Sequence, residues 1–548
     1  MAGTERRSGY DVVVVGSGGG GLTAALTAAL RGLSAVVVEK TDVYGGTTAL
    51  SGGALWIPDN HLLHAAGVPD SYERARRYLD ATVGDRVPRE RTDAYLRRGP
   101  EMLRFLAERT EWLRFAYVPG YPDYYPERPG GMPEGRSVEA ELIDGRLLGP
   151  DRAALRPPSI DTKGFAMSAA EFHDVTMVTR TWRGRARSLT LGARLVRARA
   201  TGYDPLTLGQ ALVARLRLAL RDADVPVLLG TELVELTTDE RAHVTGVRVR
   251  DRHGARTITA RRGVILAAGG FSRSAPMRDE YLPHPTDVAW TSAPEGQTGD
   301  AIRLGVGLGA AADLMDRVWG APSLLPPGAA PFFLVSDRGI PNLIVVDAGG
   351  ERYLNESLPY HEFVDRMYAA GAVPYSWAVF DRRAKNRYVV AGTFPRQPFP
   401  ARWYESGFVR TGRSIADLAD RIDVPAATLR RTIARYNDLA RAGRDTDFGR
   451  GDSAYDRYYG DPTLHNPNLL PLTTPPLYAV RVYPGDIGTK GGLVTDPDGR
   501  VLRPNGTPIA GLYATGNTSA AVMGETYPGP GATIGPAMVF GYAAAQDL

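Results

Sequence analysis

Cysteine is absent from all 548 residues. That gap excludes disulfides, cysteine-ligated iron–sulfur clusters and thiol nucleophiles together. Histidine is scarce: eight scattered residues are poor material for a metal centre. Any electrons the protein handles must therefore pass through a bound organic cofactor. An excess of one charge is lacking too. Lys and Arg total 65 against 61 Asp and Glu, a net +4 that is small for this length. With no zinc-finger or other recognition pattern, no nucleic-acid partner is expected. No uninterrupted apolar run is long enough to span a bilayer. Arg6-Arg7 ahead of an apolar stretch imitates a twin-arginine export signal. That stretch is a short valine run cut by glycines, with no small-residue cleavage site after it, so it reads as folded protein. The expected location is the cytoplasm.

A chain of this length exceeds one ordinary core, so two or more packed domains are expected. Val12 to Val15 suits a strand buried on both faces. An alanine-rich helix from Leu22 to Leu30 follows, then a second buried strand, Ala35 to Val38, ending at Glu39. Residues 85–145, rich in Pro, Tyr and Arg, read as an irregular cover. A helix from Gly209 to Arg221 leads into short strands, among them Val244 to Arg250 and the run Val264 to Gly270. Ser414 with Asp417 three residues on reads as a capping box opening a helix. Aromatic loops and helices fill 317–487, and strand-and-glycine texture returns from Gly488. No repeat or low-complexity linker is evident. The expected fold class is α/β: a discontinuous Rossmann-like dinucleotide-binding domain, residues 1–316 and 488–548, with an inserted α+β catalytic domain, residues 317–487, over the substrate.

Gly16, Gly18 and Gly21 fit G-x-G-x-x-G at the first strand-to-helix turn, with Gly19 and Gly20 between them. The first glycine permits the tight turn, the second lets backbone approach a pyrophosphate, and the third lets helix pack on sheet. The helix N-terminus attracts phosphate charge. Glu39 ends the second strand, where a carboxylate can accept from ribose hydroxyls, and Lys40 follows it. Strand, helix, strand and terminal acid together supply the context that confirms the motif.

Gly45-Gly46-Thr47-Thr48 with Ser51-Gly52-Gly53 resembles the second glycine cluster of flavoproteins in the fumarate reductase and ketosteroid dehydrogenase superfamily. Gly511 to Asn517, with Gly516, and Gly531-Ala532-Thr533-Ile534-Gly535 resemble that superfamily's closing flavin contacts; Gly269, in the run Val264 to Gly270, is a further candidate cofactor contact. The resemblance implies FAD. A second fingerprint for NAD(P)H is missing, so a bound nicotinamide is not expected as electron donor. Members with covalent flavin carry a histidine near the second cluster; residues 45–53 hold none, which implies non-covalent FAD.

The resemblance sharpens to the 3-ketosteroid Δ1-dehydrogenase family. Four stretches carry it: Pro122-Asp123-Tyr124-Tyr125, Arg352 to Tyr360, Gly485 to Gly492, and Thr526-Tyr527-Pro528-Gly529-Pro530-Gly531. It implies that the Tyr527 hydroxyl and Gly531 N–H bind the carbon-3 oxygen as an oxyanion hole. Tyr360, as phenolate, would take the carbon-2 proton while flavin N5 takes the carbon-1 hydride. A free tyrosine titrates near pH 10, and Tyr124 would help by hydrogen-bonding the phenolate. Tyr125 competes for that role; Tyr121 and Tyr353 are expected to be structural. A side chain at Gly531 is expected to block approach of backbone to ligand. The reduced flavin would pass its electrons to an external acceptor such as a quinone.

Three alternatives stand beside this reading. A fumarate-reductase-like ene reductase would need arginines and a histidine to clamp a dicarboxylate, and its proton-donor arginine falls where this chain has Tyr360. A 3-ketosteroid Δ4-(5α)-dehydrogenase would share the flavin and oxyanion logic. A non-catalytic flavin carrier would have no need of the tyrosines. Residues 175–203 add one more feature. Arg180, Arg183, Arg185, Arg187, Arg194, Arg197 and Arg199 alternate there with Leu189, Leu191, Leu195 and Val196, without one acid. Such a segment is either a solvated face or a contact with an anionic membrane surface.

Overall fold

The computed structural model describes residues 8–158 and 166–548; Arg6-Arg7 lies outside them. Val12, Val13 and Val14 are wholly buried in the strand Gly9–Val15. It runs parallel to Ala35–Val38 on one side and to the end of Gly254–Leu266 on the other. Gly254–Leu266 pairs in parallel with Pro508–Ala514, and Val227–Leu228 closes the opposite edge. These strands point their carboxyl ends one way. In such sheets that edge is where ligands bind, and the glycine clusters gather there. The helices Gly19–Leu30, Leu208–Asp222 and Ile534–Asp547 cover one face.

A second, six-stranded sheet is antiparallel. Its strands lie within residues 318–489, and the long strand Leu477–Thr489 is its spine. Ala54–Trp56, Ser137–Ala140 and Phe115–Tyr117 form a separate three-stranded antiparallel ribbon, packed on the helices Ile534–Asp547 and Leu208–Asp222. Apolar alternation in these strands feeds separate cores, one under the glycine turns and others around the inserted sheet.

Two expectations need correcting. Residues 85–145 are not simply irregular, because Arg89–Arg109 is a 21-residue helix. Its apolar residues Tyr95, Leu96, Met102, Leu103 and Leu106 recur at helical spacing and are buried. Pro100 sits inside it and masked that periodicity in the sequence. Ser414 does cap the helix Ile415–Ile422, accepting from the Asp417 N–H at 3.1 Å. The return bond misses, however: the Asp417 carboxylate accepts from the Arg413 N–H at 2.7 Å, so the box is open by one residue.

Candidate active site

The turn after Gly9–Val15 is built by exclusion of side chains. Gly16 has φ +106°, and a Cβ there would lie 2.3 Å from the Ala267 carbonyl oxygen. At Gly21 a Cβ would sit 2.1 Å from the Gly16 oxygen, so helix and strand could not meet. Gly20 likewise packs on the Ala537 backbone, and Gly19 lies against Thr48 and Ile534. Gly18 differs: it opens the helix Gly19–Leu30 without a side chain of its own, and a Cβ there would touch only Thr48 Oγ1, at 3.9 Å.

Glu39 ties three stretches together. Its carboxylate accepts from the Ser17 N–H (3.1 Å) and Ser17 Oγ (2.6 Å), and from the Thr41 N–H (3.0 Å) and Oγ1 (2.9 Å). Ser17 Oγ in turn accepts from the Gly45 N–H at 3.1 Å. The Thr41 hydroxyl has one proton and also lies 2.8 Å from the Val43 carbonyl, so the chain's own donors fill at least three of the carboxylate's roughly four acceptor sites. Glu39 therefore orders the first and second glycine clusters relative to each other. Lys40 donates to Asp300 (2.6 Å) and Thr298 (2.7 Å). Gly46 packs on the Gly18 backbone. Thr48 Oγ1 caps the Gly19 N–H at 2.9 Å, and Ser51 Oγ donates to the Thr48 carbonyl at 2.7 Å. Gly53 packs against Leu208, whereas nothing stands within 4 Å of a Cβ at Gly52. From the far side Gln297 donates to Thr47 Oγ1 and packs on Gly269, its own Oε1 buried without a partner. Gly516 faces Ala537, and Asn517 Oδ1 accepts from Trp319 Nε1 at 3.1 Å.

This arrangement passes a test for a dinucleotide. The helix N-terminus carries no acidic side chain, a Cβ at Gly52 would meet nothing within 4 Å and one at Gly18 only Thr48 Oγ1, and an unpartnered acceptor waits beside Thr47. Pyrophosphate charge suits the first feature and a flavin's ring donors suit the last.

The tyrosines form a second, buried cluster. The Tyr124 hydroxyl donates to Tyr360 at 2.9 Å. The Tyr360 and Tyr527 rings stand perpendicular with centroids 5.3 Å apart, and Tyr124 lies 5.0 Å from Tyr527. Tyr527 also reaches Thr533 Oγ1 at 3.4 Å, and Phe333 and Trp319 close the sides. Among the described residues nothing accepts from the Gly531 N–H. Gly531 itself has φ +95°, and its Cβ position lies 2.4 Å from the Ala54 carbonyl oxygen. The glycine is thus required first by the strand Ala54–Trp56, before any ligand is considered. Tyr125 is not interchangeable with Tyr124, because its hydroxyl meets His361 Nε2 at 2.9 Å. Tyr353 bonds Ser376, and Tyr121 bonds Tyr459 at the cluster's rim.

Buried ions hold each tyrosine in place, and the sequence motifs gave little sign of them. Arg136 bridges Asp70 and Asp123, all three side chains fully buried, and Trp56 Nε1 donates to Asp123 at 2.8 Å; Tyr124 is the next residue. Glu356 is clamped by Arg352 (2.8 Å) and Arg450 (3.0 Å), and Arg338 donates to the Leu358 carbonyl, two residues before Tyr360 opens its helix. Lys490, buried, donates to the carbonyls of Glu525 (2.5 Å) and Thr526 (3.0 Å), so it anchors the residue before Tyr527. Its ammonium lies over Trp319, 4.7 Å from the ring centroid. Arg352 and Glu356 are close in sequence but lie in a turn segment, not on a helix face, so no periodicity marks the pair. Arg136 and Arg450 lie too far in sequence from the residues they hold.

Burial governs the electrostatics. It pushes Tyr360 well above pH 10, as do the neighbouring phenols Tyr527 and Tyr121, while the Tyr124 hydrogen bond pulls it back down. Tyr124 and Tyr527 are raised by burial too. Burial brings Lys490 down to about 7 and raises Asp123 to about 6. His361 falls well below its usual value, through burial and then the nearby cations Lys490, Arg338 and Arg128, so it stands neutral beside Tyr125.

A dinucleotide cradle facing a buried phenol cluster defines a flavoprotein oxidoreductase. Residues 11–534 match the FAD binding domain family. The chain is 47% identical to a 3-oxosteroid 1-dehydrogenase of Mycolicibacterium smegmatis, over 98% of this chain and 97% of the relative. It is 48% identical to one of Mycobacterium tuberculosis, over 98% of each. The crystal structure of a 3-ketosteroid Δ1-dehydrogenase from Sterolibacterium denitrificans, in complex with 1,4-androstadiene-3,17-dione, matches with TM-score 0.94 and 41% identity, over 98% of this chain and 99% of that one. The chain belongs to the 3-oxosteroid 1-dehydrogenase family, and its cofactor is FAD.

Proposed function

We propose that this protein removes the hydrogens of carbons 1 and 2 of a 3-ketosteroid, leaving a carbon–carbon double bond. The observation that carries the reading is the Tyr124-to-Tyr360 hydrogen bond of 2.9 Å inside a buried aromatic cluster. The carbon-2 proton lies next to a ketone and becomes acidic when the developing enolate is stabilised. Tyr527 OH and the unengaged Gly531 N–H are the donors for the carbon-3 oxygen. Tyr360, as phenolate, accepts the carbon-2 proton, and Tyr124 donates to the phenolate oxygen and stabilises it. Bound FAD supplies the acceptor for the carbon-1 hydride. Gly16, Gly18, Glu39, Gly45 and Thr48 are the residues to hold it, with Gly516, Asn517 and Ile534 closing the far side. The flavin is non-covalent, and the electrons leave to an external acceptor, for which a quinone is the chemical class. The same reading assigns residues 1–316 and 488–548 to FAD and 317–487 to the substrate.

A dicarboxylate substrate is disfavoured on chemical grounds. The guanidinium that lies 5.8 Å from the Tyr360 ring, Arg338, is engaged by the carbonyls of Leu334 and Leu358. The deciding experiment is product analysis after incubation with 4-androstene-3,17-dione and an artificial electron acceptor. Formation of 1,4-androstadiene-3,17-dione is expected. No turnover of the steroid, or its production as the product from a 5α-saturated ketone by loss of hydrogens at carbons 4 and 5, would overturn the reading. Acid precipitation should leave yellow FAD in the supernatant; flavin in the pellet would overturn non-covalent binding.

A further inference from the structure

The arginine-rich segment resolves into two populations. Arg180 pairs with Asp461 (2.5 Å), Arg183 with Asp174 (3.0 Å), and Arg187 and Arg194 with Glu171 (3.3 and 3.1 Å). Three of these four pin the helix Trp182–Thr201 onto the short helix Ala169–Thr176, where Glu171 and Asp174 offset most of their charge. Arg185, Arg197 and Arg199 are exposed and have no ion pair among the described residues.

The helix buries Gly184, Leu191 and Ala198, one stripe at intervals of seven. The opposite stripe, also at intervals of seven, is Trp182, Leu189 and Val196. At 80%, 76% and 68% exposure these are the three most exposed large apolar side chains among the described residues. On a helix of 3.6 residues per turn they fall within a narrow arc. The exposed alanines Ala186, Ala193 and Ala200 lie on the same side. Arg185 and Arg199 border that arc on one flank and Arg197 on the other. The outermost line of this surface helix is therefore apolar, with unpaired cations at its edges and no acid anywhere along it.

We propose that the helix Trp182–Thr201 docks this protein on an anionic lipid surface. Trp182, Leu189 and Val196 enter the interfacial region while Arg185, Arg197 and Arg199 meet lipid phosphates. An apolar arc flanked by cations is the pattern of helices that lie in the membrane plane, and tryptophan favours that depth. Charge selects lipid over a second copy of the chain: a two-fold contact through this face would set arginine against arginine with no acid to relieve it. The helix also lies close to the chemistry. His173, on the helix beneath, stacks on Tyr458 at 4.5 Å, and Tyr458 stacks on Tyr121 at 4.5 Å, beside the tyrosine cluster. Docking on lipid would set the aromatic wall of the site near a source of apolar ketone. Vesicle binding is read without substrate, so the proposal stands or falls apart from the steroid assignment.

The test is flotation of the FAD-loaded protein with vesicles of phosphatidylcholine, with and without phosphatidylglycerol. Binding is expected with the anionic lipid and should weaken in high salt. Arg185→Gln, Arg197→Gln and Arg199→Gln together should lower it by about fivefold per charge. Trp182→Ser, Leu189→Ser and Val196→Ser together should lower it on the order of tenfold or more. Neither set touches a core residue, and steroid turnover in detergent-free buffer should be unchanged. Arg421→Gln with Arg441→Gln, on a different surface, should bind as the parent does. Three results would overturn the proposal: a parent that never floats, a serine variant that floats equally well, or a serine variant that changes the oligomeric mass in lipid-free solution.

Discussion

Around residues 16–21 the working groups are main-chain N–H groups, and what brings them together is the absence of side chains. Around Tyr360 the working groups are hydroxyls at the ends of long side chains, and what brings them together is buried charge. The first kind of site needs little beyond its own local sequence. A Cβ at Gly16 or Gly21 is excluded by atoms of the same strand–turn–helix unit and its neighbouring strand. The second kind needs partners from distant segments: Asp70 for Arg136, Arg450 for Glu356, and Glu525 and Thr526 for Lys490. A buried charge deprived of its partner costs about 3–5 kcal/mol. Such networks therefore fix position firmly and tolerate change badly.

The comparison predicts that the two halves fail separately. The largest effect belongs to Tyr360→Phe. It removes the base but keeps the ring that packs on Phe333 and Tyr527, so turnover should fall by about 10²–10⁴-fold while FAD content and steroid binding hold. Exchange of the carbon-2 hydrogens with deuterated solvent should slow in parallel. Parent-rate exchange in this variant would remove Tyr360 as base. Next comes Tyr527→Phe, which deletes one oxyanion donor and should cost on the order of 10²–10³-fold. Its exchange should slow as well, since a proton leaves carbon 2 only if the enolate oxygen is held. Loss of FAD from either variant would mean that the halves are not separable.

The same contrast explains what could be read in advance. The turn at Gly16–Gly21, the strand Ala35–Val38 and Glu39 were legible because each is a local pattern whose meaning rests on a few adjacent residues. The motif around Tyr360 was legible as a resemblance, yet its physical support was not. Nothing in Arg352 to Tyr360 announces Arg450 about a hundred residues later, and nothing near Tyr124 announces Asp70. The helix Arg89–Arg109 was missed because Pro100 interrupts the pattern on which helix recognition depends. The arginines of residues 175–203 showed a charge excess without showing which were engaged, since Glu171 and Asp174 lie just upstream of that window.

Tyr124→Phe should act through acidity. Burial and the neighbouring phenols hold Tyr360 well above pH 10, and the Tyr124 hydrogen bond is what lowers it. Below its pKa the phenolate fraction grows about tenfold per pH unit, so kcat/KM should climb with pH. Without Tyr124 the pKa of Tyr360 rises further, and the climbing limb should move to higher pH, with less activity at every neutral pH. A profile that superimposes on the parent's, or that no longer climbs, would take Tyr124 out of this role.

The smallest effect falls on the cradle, and it can distinguish two roles for Glu39. In Glu39→Gln one carboxylate oxygen becomes an NH2 group, which can only face donors already present at Ser17 or Thr41. Losing a charge-assisted bond there should weaken FAD on the order of tenfold, measured by titrating the apoprotein. At saturating FAD the turnover per flavin should equal the parent's, because no tyrosine has moved. Ser17→Ala then sharpens the result. If Glu39 works by holding the turn through Ser17, the two substitutions disrupt one element, and the double variant should bind FAD little worse than either single variant. If Glu39 instead accepts directly from the ribose, Ser17→Ala should be milder and the losses should add. Unchanged FAD affinity in Glu39→Gln would exclude both roles, leaving the bonds to Ser17 and Thr41 as packing alone.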